Sequence, residues 1–404
     1  YMLRCEEAAP GTVMYNLAYT FTLPDDLDPG LFAAAVRKVL AAHPALLSVI
    51  EKEGDCSYLR YQPAFDREIP VETMSEDELV EAEKSFVRPF LLDGSPLCRA
   101  RVIRTAERSI FLFDAYHVVV DGSSMEIIMA DIAAALRGDS LETDRFYQAL
   151  QKEACCKKSE TYARDEAYFK KRYDKDGWHT RPRPDYDRKG NILDSITGAF
   201  SFSPEQVAAV CRRYGVGKNE FYALAAALAL AQYNKAEDVM LSWVWNGRED
   251  AAHQRSVGLF YKDFPLAFTV DGSSRLIDLL LQAKEQALEA ITHGSLSYFD
   301  REGLYRGHEV LCLLYQGDMY DCVKYPSFMK SAASLDSDRF PCACGNSPEI
   351  EIVDDTSAFS FILDYNSAQY KRESMESFIR LFLSACEMLL KTVDNPDITV
   401  PSCR

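Results

Sequence analysis

Ser109-Ile-Phe-Leu-Phe-Asp-Ala-Tyr-His117-Val-Val-Val-Asp121-Gly122-Ser123-Ser124-Met125-Glu126 is the stretch on which the reading of this chain turns. It opens as a strand-like apolar run that ends at His117. Val118 to Gly122 then makes a tight turn. Ser123, with Glu126 three residues on, has the pattern of a capping box, and the helix it opens is expected to run to about Leu136 and close at Gly138. A strand-to-helix turn of this kind can project the His117 imidazole from a rigid edge into a cleft, where it could accept or relay a proton near neutral pH. Asp121 could turn back to lock the loop by pairing with an arginine, and Gly122 leaves room for close backbone approach. The same His-x-x-x-Asp-Gly spacing also suits a half-buried strand histidine followed by an ordinary Asp-Gly turn, since short motifs recur by chance.

Working outward, Asp28 is a good N-cap and Pro29 fits the first helical position. Leu31, Phe32, Ala35, Val36, Val39 and Leu40 fall at helical spacing, and the helix must stop near His43 because Pro44 follows. Lys157 to Asn191 changes character, with many charges, Pro182, Pro184, Gly177 and Gly190. It reads as a charged helical stretch and an irregular connector, the best domain boundary available. Further helices are expected from Ser203-Pro204 to Gly215, from Asn219 to Tyr233, from Leu276 to Ile291 and from Glu373 to Val393. Strand-like runs fall at Val239–Val244, Phe264–Val270, Glu309–Tyr315 and Phe359–Tyr365. Both halves mix helices and strands without regular alternation, so the expectation is α+β in two lobes: 1–165 carrying His117, a connector at 166–192, and 193–404.

The 404 residues carry a net charge of −17 with 48% hydrophobic and 12% aromatic residues, ample for packed cores and unlike a disordered acidic tail. So acidic a chain disfavours nucleic acid and anionic membrane as partners. No stretch reaches the roughly 18 uninterrupted apolar residues of a membrane span, and Leu224–Ala231 is apolar but too short. The twelve cysteines are scattered, without the doubled Cys-x-x-Cys of a structural zinc site, and are expected to be mostly reduced and buried in a cytoplasmic protein. A metal clip at Cys342 and Cys344 is the weaker alternative, so no metal is expected. His43 is read as a capping or packing residue, His179, His253 and His308 as surface groups, and His293 as a cation at a helix C-terminus. The first residue is Tyr1, which reads as a trimmed or excised piece.

Tyr116-His117-Val-Val-Val-Asp121-Gly122-x-Ser124 resembles the His-His-x-x-x-Asp-Gly motif of condensation domains from nonribosomal peptide synthetases. Other landmarks follow in order. Ala42-His43-Pro44-Ala45-Leu46-Leu47 is similar to the family's Arg-His-Glu-x-Leu-Arg segment, and Asn246-Gly247-Arg248 to its Gly-Arg segment. Ser256-Val257-Gly258-Leu259-Phe260, with Pro265 five residues on, resembles Val-Gly-x-Phe-Val-Asn-Thr-x-Pro. Leu314-Tyr315-Gln316-Gly317 and Asp364-Tyr365-Asn366 match two late strands, so the resemblance spans nearly the whole chain and places Tyr1 inside the family's first motif. It implies a V-shaped pair of lobes, each like chloramphenicol acetyltransferase, with a tunnel between them. Upstream and downstream peptidyl carrier domains, and an adenylation domain of the same module, would be its partners. Substrates would arrive as phosphopantetheine thioesters, no cofactor being bound tightly, and the acceptor amine would attack the donor thioester to make an amide. His117 is then the catalytic histidine. Asp121, Arg248, Gly122 and Tyr116 support the site, and Ser124, Gly258, Tyr261, Tyr315 and Gln316 line the tunnel.

Departures from the pattern are specific. Tyr116 replaces the first histidine, Tyr261-Lys262-Asp263 replaces Val-Asn-Thr, and Pro44-Ala45-Leu46-Leu47 lacks the family's Glu and Arg. Epimerisation relatives carry a catalytic glutamate where this chain has Val244, and valine cannot abstract a proton. Heterocyclisation relatives have aspartate in place of Tyr116. A stand-alone coenzyme-A- or carrier-dependent acyltransferase of the same superfamily would use the same His117. A catalytically inactive docking or recruitment domain would need none of His117, Asp121 and Arg248. Carrier domains are commonly acidic, so docking on this acidic surface calls for basic patches. Arg99, Arg101 and Arg104, or Lys170, Lys171 and Arg172, could supply one, though each cluster also suits ordinary solvated charges.

Overall fold

The computed structural model describes residues 2–8, 10–13, 15–54, 56–65, 68–173, 176–188, 190, 192–250, 253–296, 303, 309–317, 324–335, 347–354 and 359–400, with Arg4, Cys5, Ala8 and Phe65 described by backbone alone. Its α-helices are α1 (Met2–Ala8), α2 (Pro29–Ala42), α3 (Glu76–Phe86), α4 (Gly122–Arg137), α5 (Phe146–Cys156), α6 (Glu160–Arg172), α7 (Pro204–Tyr214), α8 (Lys218–Asn234), α9 (Leu276–Thr292) and α10 (Arg372–Leu390). Its strands are β1 (Asn16–Leu23), β2 (Ser48–Glu53), β3 (Cys56–Tyr61), β4 (Val71–Thr73), β5 (Cys98–Arg104), β6 (Ser109–Tyr116), β7 (Leu193–Ala199), β8 (Asp238–Trp245), β9 (Lys262–Thr269), β10 (Cys312–Gly317), β11 (Ser331–Ser334), β12 (Glu349–Asp354) and β13 (Phe359–Asn366).

The chain forms two compact units, and neither is continuous in sequence. The first comprises Tyr1–Glu153, Asn246–Tyr261 and Met319–Phe340; the second comprises Ala154–Trp245, Lys262–Asp318 and Pro341–Arg404. Contiguous lobes at 1–165 and 193–404 therefore differ from the observed division. The reason is long-range pairing: β11 hydrogen-bonds antiparallel to β1 (Tyr19 opposite Ser334), a partnership no local pattern announces.

The first unit is built on a five-stranded sheet in the order β11-β1-β6-β5-β4, with β2 and β3 as a separate hairpin. β6 is apolar on both faces because both are covered. Phe111 packs 5.1 Å from Phe32 of α2 and 5.6 Å from Phe21 of β1, while Ile110 and Leu112 turn to Leu79 and Phe86 of α3. α2 begins and ends as its sequence dictates. Asp28 accepts a hydrogen bond from the Leu31 amide at 2.7 Å, Pro29 takes the first helical position, and His43 stops the helix ahead of Pro44. Of the six apolar positions read at helical spacing, only Leu31 faces solvent.

The second unit has a six-stranded mixed sheet in the order β7-β13-β12-β10-β8-β9. α8 is its central helix, buried at every position from Phe221 to Ala231, so its apolar character runs all round rather than along one stripe. α7 opens at Ser203 with a capping box to Gln206 and closes on Gly215 in the left-handed conformation, as its sequence signals require. The charged stretch is helical as read, forming α6, but it belongs to the second unit rather than lying between two lobes. α6 buries Tyr162 and Phe169 in the second unit's core, and Phe169 stacks on Phe264 at 5.6 Å and on Tyr173 at 6.1 Å. No helix among the described residues is long and apolar enough to cross a membrane. Cys56 and Cys155 are exposed free thiols, contrary to the expectation of burial, whereas Cys211 and Cys386 are buried. Cys342, Cys344 and His308 lie outside the described residues.

Phe169→Ala should cost about 3–5 kcal/mol of stability, the usual loss for truncating a fully buried phenylalanine. Denaturant unfolding checks it. A change within about 0.5 kcal/mol would instead mark α6 as a solvent-exposed connector.

Candidate active site

β6 ends at Tyr116, and the chain turns at once. The His117 amide donates to Tyr15 O at 2.7 Å, and the Val119 amide to Tyr116 O at 2.9 Å. The N-cap of α4 is Asp121, not Ser123. Asp121 Oδ1 accepts from the Ser124 amide at 2.8 Å, the Asp121 amide returns a bond to Ser124 Oγ at 3.2 Å, and the helix starts at Gly122. Aspartate caps as well as serine does, and here its carboxylate also meets a cation, which decides between the two frames. The helix ends at Arg137 with Gly138 left-handed.

Arg248 supplies that cation. Its Nη2 donates to Asp121 Oδ1 at 2.9 Å and its Nη1 to Asp121 Oδ2 at 3.0 Å, a bidentate pair with both side chains almost wholly buried. The Phe260 and Tyr261 amides add bonds to Asp121 Oδ2 at 2.9 and 3.3 Å. Arg248 Nη2 also reaches Ser124 Oγ and Ser256 O, each at 3.1 Å. Ser124 Oγ in turn accepts from the Gly258 amide at 3.0 Å. Two glycines make this packing possible. Gly247 has φ +69°, and a Cβ there would stand 1.6 Å from Phe260 O; a Cβ on Gly258 would stand 2.5 Å from the Phe146 ring.

His117 sits beside this lock, half-buried. Its Nδ1 is 2.8 Å from Val120 O. A carbonyl oxygen only accepts, so Nδ1 carries the proton and Nε2 of the neutral ring is the free base. Burial lowers the pKa below 6.5, and the backbone bonds and the charge of Asp121 offset that only in part. The Tyr261 ring lies 5.7 Å away, tilted by 51°. Tyr116 is buried edge-on between Tyr15 and Phe90, a packing position next to the histidine.

His117, Tyr116, Asp121, Gly122, Ser124, Arg248, Gly258 and Tyr261 thus all belong to the first unit. Tyr315 and Gln316 belong to the second, on β10. Tyr315 gives its hydroxyl to Asp354 Oδ2 at 2.8 Å and stacks on Tyr222, which makes it a packing residue of that unit. Gln316 hydrogen-bonds Glu351, whose carboxyl is pushed up to about 7 by burial and by Asp364.

His253, read as a surface group, is the histidine whose reading changes, whereas His43 and His293 stand at the C-termini of α2 and α9 as read and gain carboxylate partners. His253 is buried and bonds Asp250 at 2.6 Å, and His293 stacks on Tyr168 while bonding Asp165 at 2.9 Å. His43 bonds two aspartates, Asp131 and Asp144. Sequence spacing hides these last two partners, which lie 88 and 101 residues away. The basic clusters are largely spent in internal pairs: Arg99 with Asp114, Arg101 with Glu72, Lys170 with Glu166 and Arg172 with Glu289. A shallow groove of about 330 Å³ along α9, lined by Leu281, Lys284, Leu288 and His293 among others, contains none of the residues around His117.

Arg248→Ala should lower stability by about 3–5 kcal/mol, because it leaves Asp121 as a buried charge without its cation. Adding Asp121→Asn should recover part of the loss. Denaturant unfolding of both variants is the measurement, and equal stability of Arg248→Ala and wild type would contradict the pair's structural role.

Comparison with known proteins places this architecture. The family described as condensation domain matches residues 2–306. Bacitracin synthase 1 of Bacillus licheniformis is 25% identical over 290 residues, 69% of this chain and 5% of that protein. Surfactin synthase subunit 1 of Bacillus subtilis is 23% identical over 400 residues, 95% of this chain and 11% of that protein. The chain therefore spans a small fraction of the curated relatives it matches. Among solved structures, the condensation domain of the monacolin K polyketide synthase superposes with a TM-score of 0.80 at 16% identity, covering 99% of this chain and 97% of that one. The first condensation domain of the calcium-dependent antibiotic synthetase gives 0.76 at 16% identity, covering 98% and 96%. The mixed helix-and-sheet fold is that of these domains, and the chain belongs to the condensation-domain family.

Proposed function

We propose that the chain forms amide bonds, joining a carrier-bound acceptor amine to a carrier-bound acyl or peptidyl donor in a nonribosomal peptide synthetase. The observation that carries this reading is the state of His117: Nδ1 is committed to the Val120 carbonyl, and Nε2 is left unprotonated on a loop locked by Asp121 and Arg248.

The chemistry asks little more of the side chain. A free α-amine has a pKa of about 7.7–8.0, so a useful neutral fraction exists near neutral pH. Its lone pair attacks the thioester carbonyl carbon, the C–N bond forms, and the carbonyl becomes a tetrahedral oxyanion. His117 Nε2 positions the amine and takes the proton from the now positive nitrogen. Collapse breaks the C–S bond, and the proton passes to the departing thiolate, so amide and free thiol leave with atoms and charge balanced. Tyr261 flanks the ring, its centroid 5.7 Å away. Phosphopantetheine thioesters on upstream and downstream carrier domains are the substrates this reading requires, with an adenylation domain loading the acceptor.

His117→Ala should reduce product formation by about 10²–10⁴-fold in an assay with loaded donor and acceptor carriers, while the protein stays folded. Full activity in that variant would remove His117 from the mechanism. pH supplies a second check. Because the His117 pKa is lowered, the base form persists as pH falls through 6.5 and is lost only below it. With an acceptor whose amine titrates well below 6.5, kcat should stay level through that point; a midpoint at or above it would contradict the assignment.

A further inference from the structure

Both ring nitrogens of His43 face carboxylates: Nδ1 lies 2.7 Å from Asp144 Oδ2 and Nε2 lies 3.0 Å from Asp131 Oδ2, with the residue 1% exposed. Ionised carboxylates only accept, so both nitrogens carry protons and the ring is an imidazolium. Burial pulls its pKa down, but hydrogen bonds and charge from Asp131 and Asp144 outweigh burial and hold it above 6.5. The charged groups around it are Asp131 of α4, Asp144 of the segment leading into α5, and Arg255, whose Nη2 is 3.1 Å from Asp131 Oδ1. Two cations meet two carboxylates.

From this clasp a continuous set of hydrogen bonds runs to the His117 loop. Asp144 Oδ2 also accepts from the Val257 amide at 3.0 Å, and Asp144 Oδ1 from the Phe146 amide at 2.9 Å. Phe146 is the residue whose ring closes on Gly258. The Gly258 amide bonds Ser124 Oγ, and the Phe260 amide bonds Asp121. Asp144 therefore holds the segment that completes the Asp121 site, and His43 holds Asp144.

We propose that His43, as a buried imidazolium between Asp131 and Asp144, is a positioning residue for His117, an inference that rests on the amide-forming reading above. Neutralising His43 leaves two buried carboxylates to share Arg255. Their repulsion is relieved most easily by displacing Asp144 and, with it, Val257 and Gly258. The imidazole of His117 then loses the fixed loop that aims it, although His43 touches neither His117 nor any reacting atom. The charge, not merely the volume, of His43 is what the site uses.

The test uses the full chain. Nitrogen-15 NMR of histidine-labelled protein at neutral pH should show His43 protonated on both nitrogens and His117 on Nδ1 alone; a singly protonated His43 overturns the proposal. Hydrogen exchange at the Val257, Gly258 and Phe260 amides is then followed in His43→Gln and in His43→Gln/Asp131→Asn, the second restoring charge balance without restoring the ring. The single variant should speed exchange and lower kcat by about tenfold each, with little change in KM, and the double variant should recover most of both. Unchanged exchange in the single variant, or a double variant as defective as the single, overturns it. Should His43→Gln not fold, Asp131→Asn alone should lower the His43 titration midpoint read by the same NMR experiment, because one of its two carboxylate partners is gone; an unmoved midpoint overturns the proposal. Exchange that responds as expected in a protein forming no amide would instead sink the functional reading and leave the coupling standing.

Discussion

The site depends on one buried ion pair. Asp121 and Arg248 are both nearly inaccessible to water, and removing two charges from water costs several kcal/mol per ion unless hydrogen bonds replace the lost hydration. They are replaced here almost completely. The carboxylate accepts from two guanidinium nitrogens and from the amides of Ser124, Phe260 and Tyr261. The guanidinium reaches Ser124, Ser256 and Asn246 as well, with the Phe260 ring 5.1 Å from its carbon. A pair satisfied in this way contributes definition more than stability. Arg248 and the segment Ser256–Tyr261 are brought onto Asp121 together, and Gly247 is the residue that lets the backbone approach Phe260 closely enough to do so.

Local chemistry was legible in the sequence wherever a segment settles its own conformation. The caps at Asp28, Ser203 and Gly215 and the all-round apolar α8 fall where residue type and spacing put them. The start of α4 shows the limit of that reading. Ser123-x-x-Glu126 and Asp121-x-x-Ser124 are both plausible capping boxes. Arg248, 127 residues on, selects the second by adding a cation that only Asp121 can reach.

The two units were harder to read, for a related reason. The 157–191 region is dense in charge, so it looks solvated and linker-like. Yet Tyr162, Phe169 and Tyr173 recur at helical spacing within it, and that sparse stripe is what packs in the second unit's core. Composition averages over faces of a helix, whereas burial depends on a single face. His253 misled in the same way, since polar neighbours in sequence said nothing of the Phe260 ring 5.5 Å from it in space.

The role of Asp121 bears directly on how His117 works. In a Ser-His-Asp arrangement the carboxylate bonds the imidazole and stabilises its cation. Here the carboxylate is spent on Arg248 and on the amides beside it, and the partner of His117 Nδ1 is the uncharged Val120 carbonyl. An imidazolium at His117 would be weakly stabilised, in keeping with a pKa held down by burial. His43, between two carboxylates, is the opposite case: a histidine kept charged by its surroundings. A base that resists holding a proton suits a reaction whose nucleophile is already partly neutral. In the proposed reaction such a base would take the proton only as the adduct forms and would give it up readily to the departing thiolate.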